Sequence, residues 1–489
     1  MPCVFYSVFL LIILFSQSFA AGGHCGTMQF AENLKNIQKK LLAKEYDAES
    51  QAFQVYSRKS QRFIIYYTTE GPHAIKTLPF IDRLESYLEQ AYALHKDTLG
   101  MKGIAGATQT AFYKQRVPAG LYPVEVMDAG IWDKELCGTY GLVFAPDSRQ
   151  PRATQISIEN DFIFGVNCPR VRALQGDPFT SGLNGDYSKK WDLALKVTVF
   201  HELYHSFQFS YGISEFKNFW LEASATGVEE IGAPEVNDYI GYIRNAFRSP
   251  GITMECEGEC SQRVYGYAPL YLFLFSSLGP KFDSYLWSSF SKYPKEKFSA
   301  QLARLTDSLG IDAEELFHEY ARKVFLSGPR VSPESSFWPD QYMWPDWSVR
   351  SVPSNFLPAA TVDFVRKTNE QKPNTDSATI SSLEYGDSSV WVLSRILEKK
   401  IELAIPKEFM AYPNPWNPKK NPVVYFGNLP LNAKGVEIRS ANGVLVERIE
   451  RKTNKEEPLN WQPKRPPTPG IMYYRVLPNG KNKVLIAEW

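Results

Sequence analysis

The sequence predicts an α+β protein in which a mixed helix and strand core is followed by β-rich modules. Strand and helix patterns alternate from residue 62 to residue 209, and helical patterns then continue to residue 326. The chain ends in short strands separated by turn residues. The predicted organisation is a signal peptide at 1–20, an N-terminal brace or propeptide at 21–61, a core domain at 62–332, a linker with a small β-rich module at 333–409, and a β-sandwich at 410–489.

Size and charge limit the function classes. A chain of 489 residues with 44% hydrophobic content can bury more than one core. Lys and Arg number 54 against 53 Asp and Glu, so the chain as a whole has no basic field. We therefore expect no binding to nucleic acid and no attraction to acidic lipid.

The first 20 residues have the pattern of a secretory signal. An apolar run from Val8 to Phe15 is followed by Ser18-Phe19-Ala20, with small residues where a signal peptidase cleaves. The stretch before the apolar run lacks Lys and Arg, which departs from the usual pattern. The run is too short to span a membrane, and no later segment reaches spanning length. We expect a protein that is secreted or held at the cell surface, without a transmembrane span.

Removal of this signal leaves an odd number of cysteines in an oxidising compartment, which are Cys25, Cys137, Cys168, Cys256 and Cys260. Two disulfides and one free thiol is the simplest interpretation. Cys256 could pair with Cys260, and Cys137 with Cys168, but the connectivity stays open. A zinc–thiolate site is less favoured, because the spacing differs from the Cys-x-x-Cys pair of structural zinc sites.

The core begins with a strand, a long helix and two further strands. The patterns place strands at 62–69, 122–127 and 154–159, and an amphipathic helix at 75–94. A second long helix follows from about residue 191 to residue 209. This order is typical of the N-terminal half of a zincin. We expect 154–159 to be an edge strand, to which an extended peptide could pair through its main chain.

The second long helix carries His201-Glu202-Leu203-Tyr204-His205. Residues four apart lie on one helical face, so His201 and His205 can direct ring nitrogens at one Zn²⁺ ion. Glu202 then lies beside the ion, where a carboxylate can accept the proton of a water that the metal has made acidic. The alternative is a surface helix with two unrelated histidines. It is disfavoured because apolar and aromatic residues surround the motif.

A catalytic zinc needs a third protein ligand, and the chain offers Glu222 and His318. Glu222 follows His205 by seventeen residues, which allows a turn and a second helix that returns alongside the first. His318 is more distant and fits the polar face of another helix. A third histidine in the extended motif is absent, since Gln208 and Tyr211 occupy the glycine and histidine positions. We therefore expect Glu222 to be the ligand.

Two later stretches separate the predicted modules. Residues 333–353 are rich in Pro and Trp and are interpreted as a boundary before β-like patterns at 361–405. Residues 410–489 contain predicted strands at 423–426, 435–440, 444–450, 470–477 and 481–486, with a turn at Asn442-Gly443. This pattern predicts a compact β-sandwich.

Taken together, the motifs resemble known families. His201-Glu-Leu-Tyr-His-Ser-Phe-Gln, Trp220-Leu-Glu-Ala-Ser-Ala-Thr and Glu229-Glu230 with Asn237-Asp238-Tyr239 resemble a bacterial family of secreted proteins described as metalloproteases, with a gluzincin-like core, over about residues 62–278. Tyr412-Pro-Asn-Pro-Trp-Asn-Pro and Gly470-Ile-Met-Tyr-Tyr-Arg are similar to the immunoglobulin-like sorting domains of type IX secretion cargo and to the module of flagellar hook-capping proteins.

The resemblance implies zinc on His201, His205 and Glu222, with Glu202 as general base. It also implies that the C-terminal domain engages a secretion machinery. One departure concerns the residue that orients the first histidine. Thermolysin-type gluzincins have Asp four positions after the third ligand, where this chain has Thr226. The candidates are Asn160, Asp161, Glu229 and Glu230, of which the last two fit a solvated acidic helix end better.

The predicted function is that of a secreted zinc endopeptidase that acts on protein or peptide substrates. Tyr265, Tyr267 and Tyr271 are candidates for the donor that stabilises an oxyanion, although core packing is the favoured role of each. The alternative function is a catalytically silent cell-surface binding protein that keeps the zincin scaffold and binds through its β modules. The presence of Glu202 favours the enzyme, because a scaffold needs no general base.

Overall fold

The protein combines helices with several β-sheets, which confirms the α+β class. The computed structural model describes residues 53–487 except for gaps at 76, 133–135, 137–138, 148, 163–186, 213–218, 256–257, 369–371, 376–377, 398–409, 413, 420–421, 428, 430–432, 452–457, 465–466 and 479–482. The predicted signal peptide, most of the predicted brace and the cysteines lie outside the described residues, apart from the backbone of Cys260. The chain divides into two compact units, Met1–Lys399 and Lys400–Trp489.

The first unit is built on one mixed sheet. Its strands are β1 (Val55–Lys59), β2 (Phe63–Thr68), β3 (Ala105–Gly106), β4 (Tyr122–Val126), β5 (Gly141–Phe144) and β6 (Ala153–Ile158). The order is β1-β2-β4-β6-β3, and β5 also pairs with β6. The β2, β4, β6 and β3 strands are parallel, whereas β1 and β5 are antiparallel to their neighbours. Helices cover the sheet, so its strands are nearly continuous apolar runs.

The predicted edge position of residues 154–159 is wrong. The β6 strand that contains them pairs with β4 on one side and with β5 and β3 on the other. Among the described strands, β5 pairs with β6 alone. The β5 strand was not predicted, because its run of four residues, Gly-Leu-Val-Phe, is too short to show a periodicity.

The first long helix, α1 (Leu78–Ala93), packs the predicted apolar stripe against the core. It begins three residues later than predicted, with a proline in its first turn, where the missing N–H is not needed. A π-helical turn, Leu94–Thr98, follows it directly. This turn buries His95, whose Nε2 lies 3.1 Å from the carbonyl oxygen of Phe200. After β4 comes a single helical turn, α2 (Ala129–Trp132).

Two central helices follow the sheet, α3 (Tyr187–Phe209) and α4 (Trp220–Gly232). Gly212 follows α3 with a φ of +71°, a left-handed conformation that favours glycine. Gly232, at the end of α4, lies so close to the ring of Phe200 that a side chain at this position would collide with it. The two helices therefore pack closely side by side, as the sequence predicts for a returning helix.

Five further α-helices are present in the described part of the first unit. They are α5 (Ile240–Phe247), α6 (Ala268–Leu278), α7 (Phe282–Lys292), α8 (Phe298–Ser308) and α9 (Ala313–Phe325). The α7 helix inserts Asp283 between α3 and α4, where this side chain is fully buried. Asp283 accepts hydrogen bonds from Tyr204 and from the indole nitrogens of Trp220 at 2.6 Å and Trp287 at 2.9 Å. Burial nevertheless raises the pKa of Asp283 to about 6.

The stretch at 333–353, interpreted as a boundary, packs into the first unit. Trp344 and Trp347 are buried, Trp347 stacks on Phe247 with ring centroids 4.2 Å apart, and the indole of Trp344 donates to the hydroxyl of Tyr239 at 2.7 Å. The same unit contains a three-stranded sheet of β7 (Thr361–Arg366), β8 (Thr379–Tyr385) and β9 (Ser388–Arg395), ordered β7-β9-β8. The predicted strand at 401–405 lies outside the described residues.

The second unit consists of two antiparallel sheets. One contains β10 (Met410–Tyr412), β11 (Val424–Gly427) and β14 (Leu459–Trp461), and the other contains β12 (Gly435–Ser440), β13 (Leu445–Glu450), β15 (Gly470–Leu477) and β16 (Lys483–Ala487). Both sheets contribute to one apolar core around Trp416 and Trp461. The predicted Asn442-Gly443 turn joins β12 to β13, and Gly443 has a φ of +79°. No described helix of either unit is long and apolar enough to cross a membrane.

Candidate metal centre

The α3 helix directs two histidines at one point. His201 and His205 are one helical turn apart, are 4% and 0% exposed, and place their Nε2 atoms 3.0 Å apart. The helix is buried on most of its surface, because it lies between the sheet, α1 and α4. A surface helix with two unrelated histidines does not fit this burial.

Glu222 completes the cluster from the first turn of α4. Its Oε2 lies 3.2 Å from Nε2 of His201 and 3.5 Å from Nε2 of His205. A tetrahedral zinc with bonds of about 2.0–2.1 Å holds its donor atoms about 3.3–3.4 Å apart. The three side chains thus have the donor types and the spacing that such an ion requires. Among the described residues, they are the set of potential metal ligands that lie close enough together to hold one ion.

The outer ring nitrogens of both histidines have hydrogen-bond partners. Nδ1 of His201 contacts a carboxylate oxygen of Glu229, and Nδ1 of His205 lies 2.6 Å from Oε1 of Gln208. A carboxylate can only accept, so Nδ1 of His201 carries the proton and Nε2 presents a lone pair. The amide oxygen of Gln208 defines the same tautomer for His205. Two lone pairs and the Glu222 carboxylate therefore converge, an arrangement that a cation stabilises.

Gln208 also links the two helices. Its Nε2 donates to the carbonyl oxygen of Leu221 and to the hydroxyl of Ser224, both at 3.0 Å. These bonds determine which end of the amide faces His205. From the sequence, Gln208 was noted only as the residue at the glycine position of the extended motif, although its position three residues after His205 places it on the same helical face.

Burial and the two imidazoles act in opposite directions on Glu222. Burial alone raises the pKa of this carboxyl, whereas positive charge on the neighbouring His205 and His201 outweighs burial and lowers the pKa to about 2. Glu222 is therefore an anion when a positive charge, that of an imidazolium or of a bound cation, lies beside it, although no part of it is exposed. An anionic oxygen in a dry site is a strong ligand for a divalent cation.

The interpretation of Glu229 and Glu230 as a solvated acidic helix end is wrong. They are 6% and 2% exposed, and Glu229 is the residue that orients His201. Glu230 accepts from the indole of Trp338 at 3.2 Å. Burial and a hydrogen bond with Asp340 raise the pKa of Glu230 to about 9. The segment that contains Trp338 and Asp340 covers this end of α4, which the sequence of the helix alone could not indicate.

The other candidates for the orienting residue lie elsewhere. Asn160 donates to the carbonyl oxygen of Ala74 at 2.8 Å, and Asp161 interacts electrostatically with Asp128 and Glu159. Thr226 is fully buried, and its hydroxyl has no hydrogen-bond partner among the described residues. Glu229 lies seven positions after Glu222, almost one further turn along α4 than the aspartate of thermolysin-type enzymes.

His318 is not part of the cluster. It lies on α9, where its ring nitrogens are 2.8 Å from the hydroxyls of Ser394 and Ser381 on β9 and β8. The side chain is 9% exposed, so the predicted position on a polar helical face is wrong. Burial lowers the pKa of His318 to about 4, so the ring is neutral and structural.

Glu202 lies 1% exposed beside a narrow cavity of about 20 Å³, roughly the space of one water. Its side chain packs against Gly141 at the start of β5. A Cβ on Gly141 would lie 2.6 Å from Cγ of Glu202, closer than real side-chain contacts. The cavity is lined by Tyr140, Val197, Thr198, His201, Glu202, Glu229, Asp238, Tyr242 and Tyr265. Gly141 thus makes room for the predicted base.

The three tyrosines considered as oxyanion donors separate into two groups. Tyr267 and Tyr271 are 3% and 0% exposed in the core between the helices. Tyr265 instead lines the cavity, and its ring stacks on His201 with a centroid distance of 6.3 Å. Asp238 lines the same cavity and follows Asn237, a non-glycine residue with a φ of +57°. Neither Asp238 nor Tyr140 was predicted from the sequence to line the site.

Comparison with protein-family models, with curated proteins and with solved structures finds no match for this chain.

Proposed function

We propose that this protein is a zinc-dependent peptidase of the gluzincin type. The single observation that carries the proposal is the convergence of His201, His205 and Glu222 at the donor spacing of a tetrahedral zinc, beside the cavity that contains Glu202. A structural zinc site closes its coordination with four protein ligands, whereas three ligands beside a cavity leave a position for water. This arrangement favours catalysis over a purely structural role.

Zinc supplies a Lewis acid that polarises a carbonyl oxygen and lowers the pKa of water to about 7. The chain supplies the proton transfers. Glu202 accepts the proton of the attacking water and delivers it to the leaving amine, and its near-complete burial keeps the carboxylate out of bulk solvent. Glu229 and Gln208 keep the two histidines in one tautomer, so that each ring keeps its donor atom directed at the ion.

Substrate placement is limited by the start of β5. This strand begins at Gly141, which lies against Glu202. A peptide bond cleaved with this base would therefore lie near the start of β5. Of the three tyrosines considered as oxyanion donors, Tyr265 is the one that lines the cavity, and its ring stacks on His201. These features favour a protein or peptide substrate.

We also propose that the protein is secreted and that its second unit is recognised by the secretion machinery. The N-terminal pattern favours secretion, and the motifs after residue 410 favour a module that the secretion machinery recognises. The two-sheet architecture of the second unit is compatible with an immunoglobulin-like domain. Its separate core supports an independent module in this role.

The test compares wild type with Glu202→Gln on an unstructured protein substrate, together with zinc analysis of both proteins. We expect about one zinc per chain in each, and a rate about 10²–10⁴-fold lower in the variant, because only the base is removed. Glu230→Gln is the matched control. It changes a buried carboxyl in the same region that is already protonated at neutral pH, so cleavage should persist.

Two outcomes would contradict the proposal. Cleavage that is equal in wild type and Glu202→Gln would exclude the assigned mechanism. Stoichiometric zinc without cleavage of any unfolded substrate would favour the alternative of a cell-surface binding protein on a zincin scaffold.

A further inference from the structure

The four-stranded sheet of the second unit has two chemically different faces. Its inner face belongs to the apolar core, with Val436, Ile438, Met472, Tyr474, Val476, Leu485 and Ala487. Alternate residues of the same strands point to the outer face. The strand register places Arg439 of β12 opposite Leu445 of β13 and Tyr473 of β15, and Tyr473 opposite Val484 of β16. The outer face therefore combines arginine with aliphatic and aromatic side chains.

Three arginines on this face surround one carboxylate. Glu437 is buried beneath Arg439 and Arg448, each 2.7 Å away, and Arg475 at 2.9 Å. The arginine side chains remain 37%, 52% and 39% exposed. One glutamate compensates one of the three charges, so the cluster carries a net charge of about +2. Each guanidinium has five N–H donors, and the exposed donors face solvent. The cluster thus exposes positive charge on the outer face of the sheet.

Apolar side chains lie on the same face without cover. Ile471, Val484 and Leu445 are 51%, 42% and 46% exposed, on β15, β16 and β13. Isolated exposed aliphatic residues are ordinary on protein surfaces. These three share one sheet face with three arginines, a combination typical of surfaces that rest in the headgroup region of a membrane.

The charge of the whole chain hides an imbalance between the two units. Residues 400–489 contain 15 Lys and Arg against 8 Asp and Glu, a net charge of +7. Residues 1–399 contain 39 against 45, a net charge of −6. The expectation of no attraction to acidic lipid came from the whole-chain total of +1, which averages over this difference. A unit with this charge concentrates at anionic surfaces.

We propose that the outer face of the β13-β12-β15-β16 sheet binds the surface of an anionic lipid bilayer. The arginines interact with lipid phosphates, and the aliphatic residues enter the boundary between headgroups and acyl chains. The lipid surface is favoured over a nucleic acid because a nucleic-acid backbone would contact the arginines only. A lipid bilayer can also bind the exposed aliphatic residues. This function is independent of the proposed peptidase activity, which belongs to the first unit.

The test is sedimentation of the full chain with vesicles of phosphatidylcholine alone or with about one third phosphatidylglycerol, over a range of salt. We expect binding only to the anionic vesicles, with weaker binding at higher salt. The double variant Arg439→Gln/Arg448→Gln should lower the partition coefficient about 30-fold, since each basic residue near such a surface contributes about 1 kcal/mol. Arg475 remains to pair with Glu437 in this variant.

The matched control is Arg83→Gln/Arg149→Gln, which removes the same charge from arginines of the first unit whose side chains are 59% and 87% exposed. It should bind like wild type. If the sheet variant unfolds in a thermal melt, Ile471→Ser/Val484→Ser replaces it, because both positions are exposed. That variant should bind about tenfold more weakly.

Three results would overturn the proposal. The first is no preference for anionic vesicles in wild type. The second is equal binding by the control and by a folded sheet variant. The third is tight binding to a DNA duplex with no binding to vesicles.

Discussion

Glu222 and Asp283 are two carboxylates with opposite surroundings in the same part of the fold. Both are fully buried: Glu222 belongs to α4 and faces α3, whereas Asp283 of α7 contacts both of these helices. Asp283 is surrounded by hydrogen-bond donors, which are the hydroxyl of Tyr204 and the indoles of Trp220 and Trp287. Glu222 instead faces Nε2 of His201 and of His205, the two ring atoms that carry lone pairs.

The difference separates a structural carboxylate from a metal ligand. A buried acceptor surrounded by donors is satisfied without any partner from outside the chain. A buried carboxylate beside two ring nitrogens that can also coordinate a metal is placed to share a cation with them. Burial alone does not distinguish the two, whereas the chemical type of the neighbours does.

The largest effect should follow from Asp283→Ala. Three buried donors would lose their acceptor, at about 1–3 kcal/mol each, partly offset by relaxation of the site. We expect the free energy of unfolding of the metal-free protein to fall by about 4 kcal/mol in urea titrations. Glu222→Ala is the comparison variant. It removes fewer hydrogen bonds to buried donors, so metal-free Glu222→Ala should lose less stability than Asp283→Ala. An equal loss of unfolding free energy in both variants would contradict the proposed difference between Asp283 and Glu222.

Metal affinity should respond to Glu222 and not to His318. Glu222→Ala removes one of three donor atoms, and we expect zinc affinity to fall more than about 100-fold, beyond the effect of removing an outer partner. His318→Ala is the control, since this ring bonds Ser381 and Ser394. Competition with a chromophoric chelator measures both. The reverse result would overturn the ligand assignment.

A variant of Glu229 tests whether a residue that does not itself bind the ion is needed to position the ligand His201. Glu229→Ala leaves His201 free to rotate and to change tautomer, and zinc affinity should fall about 10–100-fold. Glu230→Ala is the adjacent control, because Glu230 bonds Trp338 instead. Equal affinities in the two variants would show that the bond between Glu229 and His201 has no role in metal binding.

Gly141 tests the space around Glu202. In Gly141→Ala the new methyl group would displace the carboxylate side chain, and we expect the cleavage rate to fall about tenfold with zinc content unchanged. Gly103→Ala is the control, since a side chain there meets no atom within 4 Å. Full activity of Gly141→Ala would show that the space at the start of β5 does not control the position of Glu202.

The smallest effect concerns a carboxylate that charged donors surround. Hydrogen bonds from Arg448, Arg439 and Arg475 lower the pKa of Glu437 to about 2, below its ordinary value of 4.5. A lowered folded-state pKa stabilises the second unit above pH 4.5, and this contribution is lost as the pH falls toward 2. Amide exchange in β12 and β15, corrected for intrinsic rates, should therefore quicken on acidification. Glu437→Gln should remove this dependence, and an unchanged profile in that variant would contradict the assignment.

Long periodic segments were predictable from the sequence, and short ones were not. The limits predicted for α1 and for the second long helix agree with the structure within about four residues, because many turns repeat the same apolar spacing. The β5 strand has four residues and no repeat, so it was missed. The edge of the sheet was consequently assigned to β6, and the contact of Gly141 with Glu202 was not anticipated.

The sequence by itself determined which residues could form a metal site, and the tertiary structure decided how they are held. His201 and His205 share a face through helical spacing, and the short link to the next helix brings Glu222 beside them. The roles of Glu229 and Gln208 depend on distances between separate helices, and the burial of Glu229 and Glu230 depends on how the chain packs around the end of α4. Local spacing acts within one element, whereas burial and cross-element contacts exist only after the chain has packed.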